Sequence, residues 1–148
     1  VMKRVVPQFL MELDGLSGKS EGLMVIAASN VPWELDEATY RRLPTMIYVG
    51  LPDFEARRHL LKLKTEKVER LGKVDFDRLA EQSDGFSGSD MTRLVDMTCR
   101  ACLRQSVGHG EAKLVETEDF LAQLEKFSRT VSRKNLQRFE KFKAEFIA

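Results

Sequence analysis

Two short apolar runs, followed by a change of texture, constrain this chain more than anything else in it. Residues 22–29, GLMVIAAS, are almost continuously apolar, and residues 46–52, MIYVGLP, form a second such run ended by Pro52. Runs this short with no alternation suit strands buried on both faces, as in a parallel sheet. Two strands alone cannot bury both faces of such a sheet. The α/β part must therefore be incomplete or pair with another chain.

Everything beyond Pro52 reads as helix. DFEARRHLLKLKTEKVERL opens at an Asp53 cap and DFDRLAEQS at an Asp75 cap. GFSGSDMTRLVDMTCRACLRQSVG opens with Ser87 and Asp90, the S-x-x-D spacing of a capping box. It then places Met91, Leu94, Val95, Thr98 and Cys102 along one side. TEDFLAQLEKF and SRKNLQRFEKFKAEF follow. Ahead of the first run, Val6, Phe9, Leu10 and Leu13 recur at helical spacing, with Gly15 as a stop and Pro7 tolerable in a first turn. Between the runs, LDEATYRRL is a short helix capped by Asp36. The expected fold class is an α/β fragment over residues 1–52, followed by an all-helical bundle over 53–148.

Twenty-four basic and 23 acidic residues leave a net charge of +1, so charge gives no argument for nucleic acid or anionic lipid. No apolar run approaches the roughly 18 residues that span a bilayer. No signal-peptide pattern opens the chain. It begins without Met, inside an expected helix, as a piece of a longer protein would. Cys99 and Cys102 form a C-x-x-C pair, but no second ligand pair accompanies them, and His59 and His109 stand apart. Packing on one helix face is the expectation for both thiols, and reduced cysteines suit a cytosolic protein.

Three stretches invite a chemical reading. Gly18-Lys19-Ser20 looks like the end of a phosphate-binding loop, G-x-x-x-x-G-K-[ST]. Position 13 is Leu rather than Gly, however, and a helix precedes the loop where a strand should. A polar turn is the better reading. Asn30 closes the first apolar run, and ligands collect at the carboxyl ends of strands in open α/β sheets. Its amide can donate to phosphate while accepting from water, or it can simply begin the turn before Pro32. Arg41 and Arg42 end a short helix, where the dipole favours cations. Equally, they could present planar, permanently charged forks to phosphate oxygens.

Taken together, LMVIAASNVPWELDEATYRRLPTMIYVGLPD closely resembles the second region of homology of the AAA ATPases. The ASN-PWELD-A--RRL portion is most similar to the microtubule-severing branch of katanin, katanin-like proteins, spastin and fidgetin, with the vacuolar-sorting ATPases as close relatives. DGFSGSDM resembles the family's lid motif G-[YF]-S-G-[AS]-D, and SRTVSRKNLQRFEKFKAEF resembles the branch's C-terminal helix. The resemblance puts Asn30 at the sensor-1 position, which places the attacking water near the γ-phosphate. It puts Arg41 and Arg42 at the arginine-finger positions, which reach a neighbouring subunit's ATP. Gly88 and Ser89 fall where lid backbone approaches adenine and ribose. Trp33 falls on the loop after sensor 1, where packing is its expected job.

Two departures stand out. The branch usually carries a third basic residue where this chain has Tyr40, and a charged E-K-R where it has Pro44-Thr45-Met46. A similar Arg-Arg-x-Pro-Thr occurs in the mitochondrial outer-membrane AAA translocases. The Walker A lysine and Walker B acidic pair would lie ahead of residue 1, since VMKRVVPQFLMELDG matches the helix after Walker B. The resemblance thus implies a fragment, inactive alone, of a cytoplasmic, cytoskeleton-associated ATPase. The full-length protein would use ATP and Mg²⁺, with neither expected on this fragment, and would form a homo-hexamer acting on tubulin or microtubules. No nucleic-acid partner and no membrane insertion are expected. The alternatives are an ATPase acting on membrane-remodelling filaments or membrane proteins, and a helical interaction module without ATP chemistry.

Overall fold

The structure is a computed structural model that describes residues 8, 11–12, 24–107 and 113–146. Among these, a 3₁₀ turn at Pro32–Glu34 precedes helices α1 (Glu37–Arg42), α2 (Phe54–Thr65), α3 (Phe76–Gln82), α4 (Gly88–Val107), α5 (Thr117–Leu124) and α6 (Arg133–Phe146). Gln8, Met11 and Glu12 are helical, in line with the spacing of that segment. The rest of that helix and the Gly18-Lys19-Ser20 turn lie outside the described residues. The chain divides into two compact units, residues 49–136, and residues 1–48 together with 137–148.

The 49–136 unit is a helical bundle whose helix starts are set by local chemistry. Asp53 accepts from the Ala56 N–H at 2.8 Å and Asp75 from the Arg78 N–H at 3.0 Å, so each satisfies a first-turn amide that has no helical partner. At α4, the Asp90 N–H donates to Ser87 Oγ at 3.2 Å, and the Ser87 N–H donates back to Asp90 Oδ2 at 3.0 Å. That is the reciprocal capping box its spacing predicts. At α5, the Glu116 N–H donates to Asp119 Oδ2 at 3.0 Å, and the Asp119 N–H donates to the Glu116 carbonyl at 3.1 Å. Gly85 precedes α4 with φ of 74°, a left-handed conformation that suits glycine. A Cβ there would also meet Arg129 Nη1 at 2.9 Å.

One core holds this unit together. Leu61 of α2, Leu79 of α3, Met91, Leu94, Val95 and Cys102 of α4, and Phe120 of α5 are all buried within it. Thr98 is also buried, its hydroxyl donating to the Leu94 carbonyl at 2.8 Å. The expected inner face of α4 is thus confirmed. Cys102 packs in the core, where burial, followed by the charge and hydrogen bonding of Asp119, pushes its thiol up to about 11. Arg57 is a buried cation. Its Nε donates to the Ala80 carbonyl at 3.0 Å, its Nη1 to the Pro52 carbonyl at 2.9 Å, and Asp84 lies 3.2 Å from Nη1. Among the described residues one parallel bridge joins Leu71, after α2, to Val115, before α5.

The other unit is held by rings. Asp36 caps α1, accepting from the Thr39 N–H and hydroxyl at 2.8 Å each. Trp33 meets Phe139 edge-on at 5.0 Å between centroids, and Arg138 lies 4.4 Å over the Trp33 ring. Tyr48 lies 6.2 Å from Phe139 and donates to Glu140 at 3.3 Å. The two strands expected at 22–29 and 46–52 are not formed among the described residues, which carry no regular structure there. Met24, Ile26 and Ile47 are about four-fifths exposed, at 80%, 83% and 82%. The physical reason is the one raised by the sequence: strands of this kind are stable only with neighbours on both edges and cover on both faces.

Candidate functional site

Asn30 lies exposed in a bend at the end of the first apolar run. The local turn bond is made by its neighbour, since Ser29 Oγ accepts from the Val31 N–H at 3.1 Å.

The two arginines that end α1 differ. Arg41 is directed outward, with 78% of its side chain exposed, and pairs across one helical turn with the equally exposed Glu37 at 3.1 Å. Such a pair contributes about 0.3–0.5 kcal/mol and is readily exchanged for a stronger anion. Arg42 is half-buried, and its Nη1 donates to the Ala38 carbonyl at 3.1 Å, closing the last turn of α1. Of the pair, Arg41 has the geometry of a presented cation, while the Arg42 side chain also satisfies a last-turn carbonyl of α1, whose C-cap is Leu43.

Gly88 and Ser89 open α4 in the other unit, so the candidate residues fall into two groups. The capping box takes up the Asp90 amide, and the Ser87 carbonyl accepts the Met91 N–H at 3.0 Å. A Cβ added at Gly88 would meet only Leu60 Cδ1, at the ordinary contact distance of 4.0 Å. Unlike Gly85, Gly88 is thus required neither by its own backbone nor by its packing, and there is room for a ligand to approach. Directly behind it, the fully buried Asp90 also accepts the Thr130 N–H at 3.3 Å on its other oxygen. Burial opposes ionisation of this carboxyl, but the bonds from Ser87 and Thr130 outweigh burial and hold its pKa below the usual value.

Three tertiary contacts were not legible in the sequence. Tyr40 packs its ring against α6, Arg57 is buried rather than solvated, and Asp90 reaches Thr130, forty residues on. Only Asp90 carried a local signal, its spacing from Ser87. Among the described residues no group of His, Cys, Asp or Glu could hold a metal ion. No described helix is long and apolar enough to cross a membrane.

This chain belongs to the AAA ATPase family. The family model described as "ATPase family associated with various cellular activities (AAA)" matches residues 1–51, and that described as "AAA+ lid domain" matches residues 73–122. The chain is 34% identical to the katanin p60 ATPase-containing A1 protein of Strongylocentrotus purpuratus, over 97% of its own length and 31% of that protein's. It is also 34% identical to the katanin p60 ATPase-containing A-like 1 protein of Danio rerio, over 97% of its own length and 33% of that protein's. It thus spans about a third of the length of the curated relatives it matches. A crystal structure of the FIGL-1 AAA domain superposes with a TM-score of 0.86 at 27% identity, covering 97% of this chain and 51% of that one. The same domain has been solved with ADP. The structure described as "Structural Basis for Katanin Self-Assembly" matches with a TM-score of 0.78 at 32% identity, covering 94% of this chain and 52% of that one.

Proposed function

We propose that this chain is the C-terminal part of a ring-forming AAA motor that hydrolyses ATP and severs or remodels a protein polymer, with microtubules as its client. Residues 1–52 belong to the large α/β subdomain and residues 53–148 to the lid with its C-terminal helix. The observation that carries the reading is the ordered set of three motifs, together with katanin relatives at 34% identity over 97% of the chain. The self-assembly of katanin supports a ring, taken here as a homo-hexamer. A cytoplasmic, cytoskeleton-associated protein follows from that client.

In this reading Asn30 orients the attacking water, with its amide oxygen accepting a water proton and its N–H₂ directed at phosphate. Arg41 and Arg42 stabilise the charge that develops on the phosphoryl group held by a neighbouring subunit. Gly88 and Ser89 bring lid backbone against the base and ribose, using the space that the missing side chain of Gly88 leaves.

The test uses the full-length protein containing this chain. Fluorescent microtubules should shorten and break in its presence with ATP and remain intact without ATP. Intact microtubules beside an active ATPase would rule out this client. The Arg41-Arg42-x-Pro-Thr45 sequence favours a second reading, action on membrane proteins or membrane-remodelling filaments, and that outcome would promote it. Replacing both arginines by Ala should lower hydrolysis by about 10³–10⁵ while leaving ATP binding intact. Normal hydrolysis by that variant would leave a helical module without ATP chemistry at these residues.

A further inference from the structure

Helix α1 carries the arginine pair but spans only Glu37–Arg42, far shorter than the ~12–15 residues at which a helix begins to persist alone in water. Its direction must be imposed from outside. Asp36 fixes its first turn. At its other end Tyr40, immediately before Arg41, is gripped at both the ring and the hydroxyl. The hydroxyl donates to the Pro32 carbonyl, which also accepts the Leu35 N–H at 3.0 Å and so belongs to the turn that follows Asn30. The ring stacks on Phe146 at 5.9 Å and 14°, and lies 6.3 Å from Phe142. Phe142 and Phe146 stack on each other at 4.7 Å. Phe142 is 8% exposed, so the stack is anchored to a buried ring at the end of α6.

We propose that Tyr40 is a positioning residue for Arg41 and Arg42. By clasping α1 to the Phe142–Phe146 stack and to the Pro32 turn, it sets the direction in which the pair is presented. This rests on the reading of the pair as phosphate-directed arginines. Burial raises the Tyr40 pKa, which keeps its hydroxyl a donor throughout the physiological range. The geometry explains why adjacent residues behave so differently: Tyr40 is packed and bonded while Arg41 stands 78% exposed. A misdirected arginine costs rate rather than substrate affinity, because its contact matters chiefly as charge develops in the transition state.

The test compares Tyr40→Ala, Tyr40→Phe and Phe146→Ala in the full-length protein with the Arg41→Ala/Arg42→Ala double variant. Tyr40→Ala and Phe146→Ala should lower kcat about 10- to 100-fold with KM for ATP within about twofold. Tyr40→Phe keeps the ring and should restore most of the rate. Each impaired variant is then mixed with subunits that cannot bind ATP but keep Tyr40 and both arginines. Activity should return in the Tyr40→Ala mixture as it does for the arginine double variant, because the donor subunits supply correctly aimed arginines. A kcat for Tyr40→Ala within twofold of the parent overturns the proposal. So does a Tyr40→Ala mixture that stays inactive while the arginine mixture recovers, since that marks general damage to the protomer. If Tyr40→Ala does not fold, Phe146→Ala carries the same comparison from outside α1. Normal hydrolysis by the arginine double variant would instead reject the reading of the pair itself, a result distinct from either failure of Tyr40.

Discussion

The two units of this chain make their stability in different ways. In residues 49–136, buried apolar residues of α2, α3, α4 and α5 meet in one core, and α2, α3 and α4 open on side-chain caps. In residues 1–48 with 137–148, the order comes from a row of rings, Trp33, Phe139, Tyr40, Phe142 and Phe146, while Met24, Ile26 and Ile47 stand in solvent. A helix satisfies its own backbone and needs neighbours only for one face. A strand satisfies neither its backbone nor its faces without other strands. A bundle can therefore be self-sufficient at a length where a piece of sheet cannot.

Hydrogen exchange on the chain as it stands challenges this contrast most directly. Amides in the middle of α4 should exchange at least about 10³-fold more slowly than those of residues 24–29, the gap expected between a core helix and a segment outside any ladder. Comparable protection in both would show that the apolar runs have found partners, most readily by association of exposed edges, which sedimentation would reveal.

Truncating the core comes next. Leu94→Ala, at a fully buried position of α4, should destabilise the 49–136 unit by about 2–5 kcal/mol in denaturant melts. The same change at Ile47, 82% exposed, should fall within about 0.5 kcal/mol.

A smaller effect is expected at Asp90, which joins the start of α4 to Thr130. Asp90→Ala should cost about 1–3 kcal/mol, because it strands the Ser87 and Thr130 donors. Its pH dependence has a definite sign. The folded carboxyl lies below its ordinary value of 3.8, so its contribution is complete above about that pH. It is lost as pH falls through the lower folded value. Acid titration of the unit's stability should lose this component in Asp90→Ala and in no surface Asp variant.

The smallest effect approaches the contrast from the other unit. Glu37→Gln removes the exposed partner of Arg41 and should change stability by no more than about 0.5 kcal/mol, less still in high salt. A loss of several kcal/mol would mean that the Glu37–Arg41 pair holds α1 in place, and would leave Arg41 less suited to exchange for phosphate.

The features readable from the residues alone are local ones. Asp36, Asp53, Asp75 and the Ser87–Asp90 box each act on a partner three residues away, and a spacing of three can be read directly from the chain. The inner face of α4 was legible for the same reason, since a 3.6-residue period and a run of apolar residues define a side before any partner is known. The candidate residues Asn30, Arg41, Arg42, Gly88 and Ser89 were legible only as a pattern resembling a family, and their roles stand as proposals. Which cations are buried and which rings meet was settled only by the folded chain. Arg57 stands in the charged stretch DFEARRHLLKLK, and only the fold buries it, with the carbonyls of Pro52 and Ala80 accepting from its guanidinium. Tyr40 and Phe146 are separated by more than a hundred residues, and nothing in either local sequence names the other. Short-range bonds are encoded by spacing, but a contact between distant segments exists only after the chain has folded back on itself. There, packing density and the demand that buried polar groups be bonded choose the partners.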